Sequence, residues 1–287
     1  MYDILIIGAG PAGISSGLYA KRAGNNVLIL YHGTSNLEKA HQVDNYYGFE
    51  NGISGNKLYE TGIQQAKNMG IDVKKEEVLN IEKKDNIFVI YTENNTYTAK
   101  SVIISTGNKK IKPDIKGITN FEGKGISYCA ICDGYFYKNK NVAIIGNGKF
   151  AINEANELNR IVNKITILTN GTKVEDQCNY EIITKKIKEV HGENKVNCIE
   201  FDDGSTIEID GVFIAIGEAG GSDFAKKMGV IIQNDNIIVD ENMQTNISGL
   251  FACGNSTGGL LQVCKAVYEG AKAGLSASNY IKKFKEE

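Results

Sequence analysis

Two stretches of the chain share one pattern, in which an unbroken apolar run leads through glycines into a helical segment. The first begins at residues 4–7 and continues into an Ala- and Ser-rich segment that reaches about residue 23. The second begins at residues 142–145 and continues into a helix that reaches about residue 159. Apolar runs of this kind are typical of parallel strands covered on both faces. The pattern predicts an α/β fold with two Rossmann-like, three-layer nucleotide-binding domains.

Other segments complete these two units. Residues 87–98 contain two strand-like runs around a turn-prone centre, which predicts a hairpin. Residues 102–107 form a further apolar run that we expect to return to the first sheet. After the second unit, the pattern predicts a C-terminal helix from Leu261 to Ile281.

The order of these segments predicts that one domain is inserted into the other. We expect residues 1–110 plus 243–287 to form a discontinuous first domain, and residues 111–242 to form the second. The hinges would lie near residues 108–112 and 241–245.

The first glycine loop has the spacing of a dinucleotide-binding turn. Gly8 allows a tight turn, Gly10 lets the backbone approach a pyrophosphate, and Gly13 lets helix and strand pack closely. The N-terminus of the following helix adds N–H groups and partial positive charge. The second strand ends at Leu30-Tyr31-His32, without the acidic residue that would bind a ribose. The loop therefore indicates a dinucleotide without identifying it, and a glycine turn without a ligand is the alternative.

Charge and composition narrow the class of protein. A net charge of −2 provides no general attraction to nucleic acid or to an anionic membrane. No apolar stretch reaches the roughly 18 residues of a membrane span. The N-terminus runs directly into a strand, with neither a basic segment nor a cleavage site. We therefore expect a cytoplasmic protein.

The six cysteines fall into two groups, and a disulfide framework is not expected in the cytoplasm. Four stand singly, and each is expected to be a small buried hydrophobe: Cys178, Cys198, Cys253 and Cys264. Cys129 and Cys132 have C-x-x-C spacing, which favours redox catalysis or metal binding. Structural zinc requires four ligands, usually in two close pairs. Since no second pair or histidine stands near this one, we favour redox chemistry and expect no metal.

With these motifs the chain resembles the low-molecular-weight thioredoxin reductases over nearly its whole length. The matching segments occur in the family's order and nearly its spacing: Gly8-Ala-Gly-Pro-Ala-Gly13, Val43-Asp-Asn-Tyr-Tyr-Gly48, Ser105-Thr-Gly107, Cys129-Ala-Ile-Cys-Asp-Gly134 and Phe251-Ala-Cys-Gly-Asn255. The resemblance implies FAD in the discontinuous domain and a dithiol in the inserted domain, which would be a degenerate NADPH-type domain. It also implies thioredoxin as a partner and a homodimer.

The resemblance further implies which residues contact FAD. The positions carried over are Gly8, Ala9, Gly10, Pro11, Ala12, Gly13, Asn36, Asn45, Thr106, Gly107, Gly254, Asn255, Gln262 and Val263. The loop of residues 8–13 would contact the pyrophosphate, Asn255 the ribityl chain, and Gln262 the isoalloxazine. The family usually has Asp where this chain has Asn255, and Arg where it has Leu261. Because Asn still accepts a hydrogen bond, we expect weaker but not abolished binding.

Roles for the dithiol follow from the same resemblance. In the family, the second cysteine faces the flavin and the first attacks the partner's disulfide. By position, Cys132 would be the flavin-facing thiolate and Cys129 the interchange thiol. Asp133 would be the acid/base that handles the proton of the leaving thiolate. A simple helix cap is the alternative role for Asp133.

The second glycine loop, residues 146–151, lacks features of NADPH-using members. No arginine stands in residues 168–174 to bind a 2′-phosphate, and Phe150 is expected to crowd a pyrophosphate. Relatives with a similarly eroded domain accept electrons from reduced ferredoxin, and the chain resembles that variant. Candidate contacts for an acidic ferredoxin are Lys109, Lys110, Lys112, Lys138 and Lys140, although scattered solubilising lysines would look the same.

Three other functions are compatible with the sequence. An ordinary NADPH-dependent thioredoxin reductase would share every motif except the arginines. An FAD dithiol oxidase would pass electrons from a small dithiol to oxygen. A non-enzymatic flavin redox sensor would use the dithiol to govern a partner. The intact Cys129, Cys132 and Asp133 favour the reductase.

Overall fold

The computed structural model describes residues 1–33, 35–107, 113–128, 130–174, 178–217 and 221–286. The helices in these ranges are α1 (Pro11–Arg22), α2 (Gly55–Asn68), α3 (Ala130–Asp133), α4 (Lys149–Leu158), α5 (Gly221–Lys227) and α6 (Val263–Glu286). The strands are β1 (Tyr2–Ile7), β2 (Val27–Tyr31), β3 (Asp72–Lys75), β4 (Val78–Lys84), β5 (Ile87–Thr92), β6 (Thr96–Ile104), β7 (Ile126–Ser127), β8 (Asn141–Ile145), β9 (Lys164–Leu168), β10 (Glu181–Ile183), β11 (Ile187–Gly192), β12 (Val196–Phe201), β13 (Thr206–Glu208), β14 (Gly211–Ile214), β15 (Ile232–Gln233), β16 (Asn236–Ile237) and β17 (Leu250–Ala252).

The chain forms two compact units, and the second is inserted in sequence between two parts of the first. The first unit comprises Met1–Lys109 and Gly220–Glu287, and the second comprises Lys110–Ala219. The later boundary lies at Gly220 and not at residue 243. The reason is packing, because α5 contacts β4 and β16 contacts the 3-10 helix Gly254–Thr257, all within the first unit.

The first unit is built on one mostly parallel sheet. Its strand order is β3-β2-β1-β6-β5-β4, and β17 also pairs with β6. β1 lies parallel to both β2 and β6, and β17 lies parallel to β6. Ile4, Leu5 and Ile6 of β1 have no exposed surface. The unbroken apolar run of β1 thus corresponds to a strand covered on both faces.

The predicted hairpin is present, but its second strand is longer than expected. β5 and β6 pair antiparallel, and β6 continues without a break to Ile104. The apolar run from residue 102 returns to the first sheet beside β1, as expected, as a continuation of the same strand. The apolar pattern is interrupted at Lys100 and Ser101, two polar residues whose side chains find partners elsewhere in the folded chain. Lys100 forms an ion pair with Asp3 at 2.9 Å, and the Ser101 hydroxyl donates to the Gly249 carbonyl at 2.8 Å.

The second unit has three layers. Its parallel sheet has the order β10-β9-β8-β14-β7, and β11-β12-β13 form a separate antiparallel sheet. Alternate residues of β8 point to opposite faces. Val142 and Ile144 join a core cluster that contains residues of α3 and α4, whereas Ala143 and Ile145 join one that contains residues of β11 and β12. This is the doubly covered arrangement that the second apolar run predicted.

In the first unit, α6 packs against α1 with their backbones in close contact. A Cβ at Gly270 would lie 2.2 Å from the Ala12 carbonyl oxygen, and one at Gly274 would lie 2.4 Å from that of Ser16. Only glycine permits this approach, which fixes the start of α6 relative to the start of α1. The observed α6 begins at Val263 and extends beyond the predicted end. Within the described ranges, every helix is too short or too polar to span a bilayer.

Candidate functional site

Three parallel strands of the first unit end level with one another. Ile7 of β1 pairs with Ile104 of β6, and Ile104 pairs with Ala252 of β17. The loops that follow parallel strands in register lie at the same edge of a sheet, where ligands of doubly wound folds bind. We call this edge, formed by residues 8–13, 105–107 and 253–258, the carboxyl edge.

Two glycines of the first loop are required by the packing of the chain itself. Gly8 has φ +109°, and a Cβ there would lie 2.5 Å from the Ser105 carbonyl oxygen. A Cβ at Gly13 would lie 1.9 Å from the Gly8 carbonyl oxygen. The Ser105 hydroxyl holds the same turn by donating to the carbonyls of Ile7 at 2.9 Å and Gly8 at 3.1 Å. The loop shape is therefore fixed without a ligand.

Gly10 differs, because the chain does not need a glycine there. A Cβ at Gly10 would come no closer than 3.9 Å to Ser35 Oγ, and its φ of −70° suits any residue. Gly10 is also the N-cap of α1, which has no side-chain cap and no acidic residue in its first turn. Pro11 begins the helix, and Ala9 and Ala12 are buried on either side. Open space before an uncapped helix start fits a pyrophosphate.

The turn after β17 adjoins this loop. Gly254 begins the 3-10 helix Gly254–Thr257, and a Cβ at Gly254 would lie 2.7 Å from the Ala12 Cβ. The Ser256 hydroxyl accepts from the Gly107 N–H at 3.1 Å, and it lies 3.2 Å from the Gly107 carbonyl oxygen. A Cβ at Gly107 would lie 4.0 Å from the Asn255 Cβ. The structure thus brings together the predicted segments around Thr106, Gly107 and Asn255.

Lys265 and Glu269 hold this turn, and sequence reasoning missed both. The Lys265 ammonium donates to the Gly254 carbonyl at 2.8 Å and to the Thr257 hydroxyl at 3.1 Å, and it also contacts the carbonyl of Gly258. The Glu269 carboxylate accepts from the Gly254 N–H at 2.8 Å. Lys265 and Glu269 pair at 2.9 Å, with side chains only 15% and 13% exposed. Their i, i+4 spacing was visible, but it predicts only a helical ion pair.

The remaining predicted cofactor residues lie around the same unit. Asn45 Nδ2 donates to Gln262 Oε1 at 3.1 Å, immediately before Val263 begins α6. Asn36 begins the 3-10 helix Asn36–Lys39. Ser35 caps that helix, and its Oγ is the atom nearest to the Cβ position of Gly10. Asn36 is therefore next in sequence to Ser35, the residue nearest to Gly10 of the first glycine loop. Asn45 lies beside the start of α6.

The second unit carries the predicted dithiol. Cys132 lies in α3, whereas Cys129 lies outside the described residues. Asp133 ends α3, and its Oδ2 accepts from the Ser127 hydroxyl of β7 at 2.6 Å. Ser127 is 5% exposed, so the Asp133 carboxylate is held against a buried hydroxyl. Nothing in the sequence spacing had singled out Ser127.

A second carboxylate reaches α3 from α4. Glu154 is 2% exposed, and its Oε2 accepts from the Ala130 N–H at 2.7 Å. Sequence reasoning also missed Glu154, since a single glutamate in an amphipathic helix gives no signal of its own. α3 is therefore bonded to carboxylates or hydroxyls at both of its ends.

An exposed aromatic pair follows α3 directly. Tyr135 and Phe136 are 72% and 73% exposed. Large apolar groups exposed next to one another are typical of protein contact surfaces. Lys138 is exposed on the same turn, with its ammonium 5.8 Å from the centre of the Tyr135 ring, and Lys140 donates to the Phe136 carbonyl at 3.1 Å. The other predicted ferredoxin contacts lie outside the described residues: Lys109, Lys110 and Lys112.

The second glycine loop keeps its backbone form. A Cβ at Gly146 would lie 2.1 Å from the Ala215 carbonyl oxygen, and α4 begins after Gly148 without a side-chain cap. We expected Phe150 to crowd a pyrophosphate, and that expectation is wrong. Its ring is 5% exposed and belongs to the core cluster that contains Ala130, because this face of α4 packs inward.

The segment after β9 has no guanidinium. The Thr169 hydroxyl donates to the Thr172 carbonyl at 2.5 Å, and the Thr172 hydroxyl donates to the Thr169 carbonyl at 2.7 Å. The turn thus bonds to itself. In the whole sequence, arginine occurs only at Arg22, in α1, and at Arg160, just after α4. Neither stands in residues 168–174, where a 2′-phosphate would require a planar bidentate donor.

The four single cysteines are free, but they are not equally buried. Cys253 is fully buried against the Ser16 hydroxyl, and burial raises the pKa of its thiol to about 12. Cys178 and Cys198 are half-buried, and Cys264 is exposed near the start of α6. The expectation of a buried hydrophobe is therefore wrong for Cys264, because that side of the helix faces solvent.

Comparison with known proteins places this arrangement in a family. The sequence matches the family described as pyridine nucleotide-disulphide oxidoreductase over residues 2–270. A thioredoxin reductase of Borreliella burgdorferi is 33% identical and aligns over 98% of this chain and 92% of its own. The atypical thioredoxin reductase of Desulfovibrio vulgaris Hildenborough is 37% identical over 99% of both chains, with a TM-score of 0.91. A ferredoxin-flavin thioredoxin reductase of Clostridium acetobutylicum is 34% identical over 100% of this chain and 99% of its own, with a TM-score of 0.72. The chain therefore belongs to the thioredoxin reductases of this family, which are flavoprotein disulfide reductases.

Proposed function

We propose that this protein carries FAD and reduces thioredoxin through Cys129 and Cys132, with electrons from reduced ferredoxin. The observation that carries the proposal is the joint presence of an open, uncapped glycine loop and a Cys-x-x-Cys segment whose helix is anchored by Asp133. The first feature fits a dinucleotide, and the second fits a redox pair.

FAD is the dinucleotide that we assign to the carboxyl edge. Gly8, Ala9, Gly10, Pro11, Ala12 and Gly13 would hold its pyrophosphate, and Thr106, Gly107, Gly254, Asn255, Asn36, Asn45, Gln262 and Val263 would surround the remainder. The Asn255 amide can accept a hydrogen bond from a ribityl hydroxyl, although it lacks the charge of an aspartate. A bound flavin would supply the ability to accept single electrons and to deliver a pair to a disulfide.

The dithiol would perform thiol–disulfide exchange. The Cys129 thiolate attacks one sulfur of the thioredoxin disulfide, which breaks that S–S bond and forms a mixed disulfide. The Cys132 thiolate then attacks the Cys129 sulfur, which releases thioredoxin with two thiols and leaves a Cys129–Cys132 disulfide. We assign Asp133 to transfer the proton of the sulfur that leaves. Its bond to Ser127 would orient the carboxylate for this step.

Tyr135 and Phe136 support a protein as the disulfide substrate. Both rings are more than two-thirds exposed and follow the dithiol helix in sequence. Aromatic residues are enriched at protein interfaces, where burying them stabilises the complex. We therefore assign this pair to the surface that receives thioredoxin.

Ferredoxin is proposed as the donor for three reasons. The segment after β9 lacks an arginine, and one solved relative, 34% identical, is a ferredoxin-flavin thioredoxin reductase. The energetics also suit this donor. A plant-type ferredoxin near about −400 mV and a thioredoxin near about −270 mV differ by roughly 130 mV, which for two electrons is about 6 kcal/mol downhill. Two reduced ferredoxins and two protons would convert one disulfide to two thiols.

NADPH is the second candidate donor, because one observation favours it. The loop from Gly146 to Gly148 retains the close approach to Ala215, and α4 starts without a side-chain cap. A nucleotide pyrophosphate could therefore be accommodated there, even though no arginine is placed for a 2′-phosphate.

Thioredoxin turnover with each donor tests the proposal. Anaerobic reduction of thioredoxin should proceed with reduced ferredoxin and fall about 1,000-fold or more in Cys129→Ser and Cys132→Ser, because neither variant can complete the exchange. Cys198→Ser, which alters a half-buried cysteine of β12, is the control and should retain wild-type turnover.

Other outcomes would select the rival functions. Turnover with NADPH as fast as with ferredoxin would overturn the donor assignment. Hydrogen peroxide formation from a small dithiol and oxygen, without thioredoxin reduction, would indicate the oxidase. FAD binding without turnover on any donor would indicate the redox sensor. We further propose a cytoplasmic location, suited to a dithiol that must stay reducible, and a homodimer.

A further inference from the structure

Glu154 is an acidic residue on the buried and otherwise apolar face of α4. The buried residues of α4 are Phe150, Ala151, Glu154, Ala155 and Leu158. Glu154 itself is 2% exposed. Glutamate is almost never fully buried unless it is paired, since removing a carboxylate from water is costly. The benefit of an acid at this position must therefore come from what it bonds.

One bonding partner of Glu154 is the backbone of the dithiol segment. Glu154 Oε2 accepts from the Ala130 N–H at 2.7 Å. Ala130 directly follows Cys129 in sequence and shares the one-turn helix α3 with Cys132. A carboxylate is thus fixed to the peptide group that lies between the two cysteines of the pair.

Backbone N–H groups at the first turn of a helix stabilise neighbouring thiolates. A stabilised thiolate favours the reduced form, and it makes a disulfide couple more oxidising. A carboxylate that occupies one of these N–H groups does the opposite. The carboxylate occupies the N–H hydrogen-bond donor and adds negative charge, so the thiolate form is disfavoured. The Cys129–Cys132 pair therefore becomes a stronger reductant.

We propose that Glu154 is a positioning residue that lowers the reduction potential of the Cys129–Cys132 pair by fixing a carboxylate to the Ala130 N–H. The inference rests on the proposed function, because it takes these two cysteines as a redox couple. Glu154 would thereby increase the driving force for passing electrons from this pair to thioredoxin. Asp133, on the same turn, is bonded by Ser127 and keeps its separate role in proton transfer.

The test compares Glu154→Gln with wild type in the full-length, FAD-loaded protein. Gln retains an oxygen that can accept from the Ala130 N–H but carries no charge. The protein is equilibrated in dithiothreitol redox buffers and quenched with an alkylating agent, and the Cys129–Cys132 peptide is quantified in both forms by mass spectrometry. We expect the equilibrium to shift about tenfold toward the dithiol, which corresponds to about 30 mV.

Two further variants make the result specific. Glu157→Gln removes a carboxylate from the same helix at a half-buried position and should leave the equilibrium unchanged. Glu154→Asp keeps the charge with a shorter reach, and we expect a shift of less than about threefold. If Glu154→Gln does not fold, Glu154→Asp still tests the inference, because a shift of about tenfold in a variant that keeps the charge would overturn it.

The outcomes separate this inference from the function on which it rests. A Glu154→Gln equilibrium equal to wild type would overturn the inference, and so would an Asp variant that shifts as far as Gln. If the wild-type cysteines never exchange between dithiol and disulfide, the proposed function fails as well. Thiolate absorbance provides an independent readout, because the Gln variant should form thiolate at lower pH than wild type.

Discussion

At the residue scale, the three glycines of the first loop have different physical causes. Gly8 and Gly13 are fixed by contacts within the chain, where a Cβ would lie 2.5 Å from the Ser105 oxygen and 1.9 Å from the Gly8 oxygen, respectively. Gly10 faces open space instead. The motif could be predicted from sequence, but only the structure shows that contacts within the chain require Gly8 and Gly13 and do not require Gly10.

This difference predicts opposite behaviour for two substitutions. Gly10→Ala should fold normally, with a melting temperature of the FAD-free protein within about 2 °C of wild type. Its FAD dissociation constant should rise about tenfold or more, since the methyl group occupies space beside the pyrophosphate. Flavin fluorescence during titration of the FAD-free protein measures the affinity.

Gly13→Ala is the matched comparison. Its Cβ meets the Gly8 carbonyl, so the free energy of unfolding should fall by about 1–3 kcal/mol even without FAD. The account of Gly10 would be contradicted if Gly10→Ala lost stability like Gly13→Ala, or if it bound FAD as tightly as wild type.

At the element scale, the long-range polar bonds explain what the sequence pattern could not show. Hydrophobic periodicity located β1, β8 and their helices, because their cores are continuous apolar runs. It did not show that the two runs within β6 are continuous, since Lys100 and Ser101 look like a break until their distant partners are known. The roles of Glu154 and Lys265 depend in the same way on groups that come together only on folding.

The Lys265–Glu269 pair gives a prediction at this scale. Lys265→Met would leave the Gly254 carbonyl without its ammonium donor and the Glu269 carboxylate without its counter-ion. We expect the free energy of unfolding to fall by about 1–3 kcal/mol, together with weaker FAD binding, because the turn at Gly254 loosens. Chemical denaturation and flavin titration measure the two effects.

Lys272→Met is the control on the same helix. The Lys272 ammonium lies 5.9 Å from the centre of the exposed Tyr268 ring. Lys265, not Lys272, supplies the ammonium that bonds the turn in the described part of the chain. Its stability should change by less than about 0.5 kcal/mol. Equal losses in the two variants would mean that the lysines of α6 act through helix stability alone.

At the scale of the whole molecule, sequence order predicted an inserted unit but not where the first unit resumes. Residues 221–242 carry short elements, α5, β15 and β16, whose patterns do not indicate a sheet or a partner. Their contacts with β4 and the turn near Gly254 assign them to the first unit. The identity of the electron donor also belongs to this scale. It depends on the absence of an arginine from residues 168–174 of the second unit and on the glycine loop of residues 8–13 in the first unit.

Anaerobic rapid mixing of the FAD-loaded protein with each candidate donor tests the account most directly, with the flavin absorbance as the signal. Reduced ferredoxin should bleach the flavin quickly, whereas NADPH and NADH at the same concentration should leave it oxidised. Residues 168–174 contain neither an arginine to hold the 2′-phosphate of NADPH nor an acidic residue to hold the ribose of NADH. Rapid bleaching by NADPH, or a protein that takes up no FAD at all, would contradict the account.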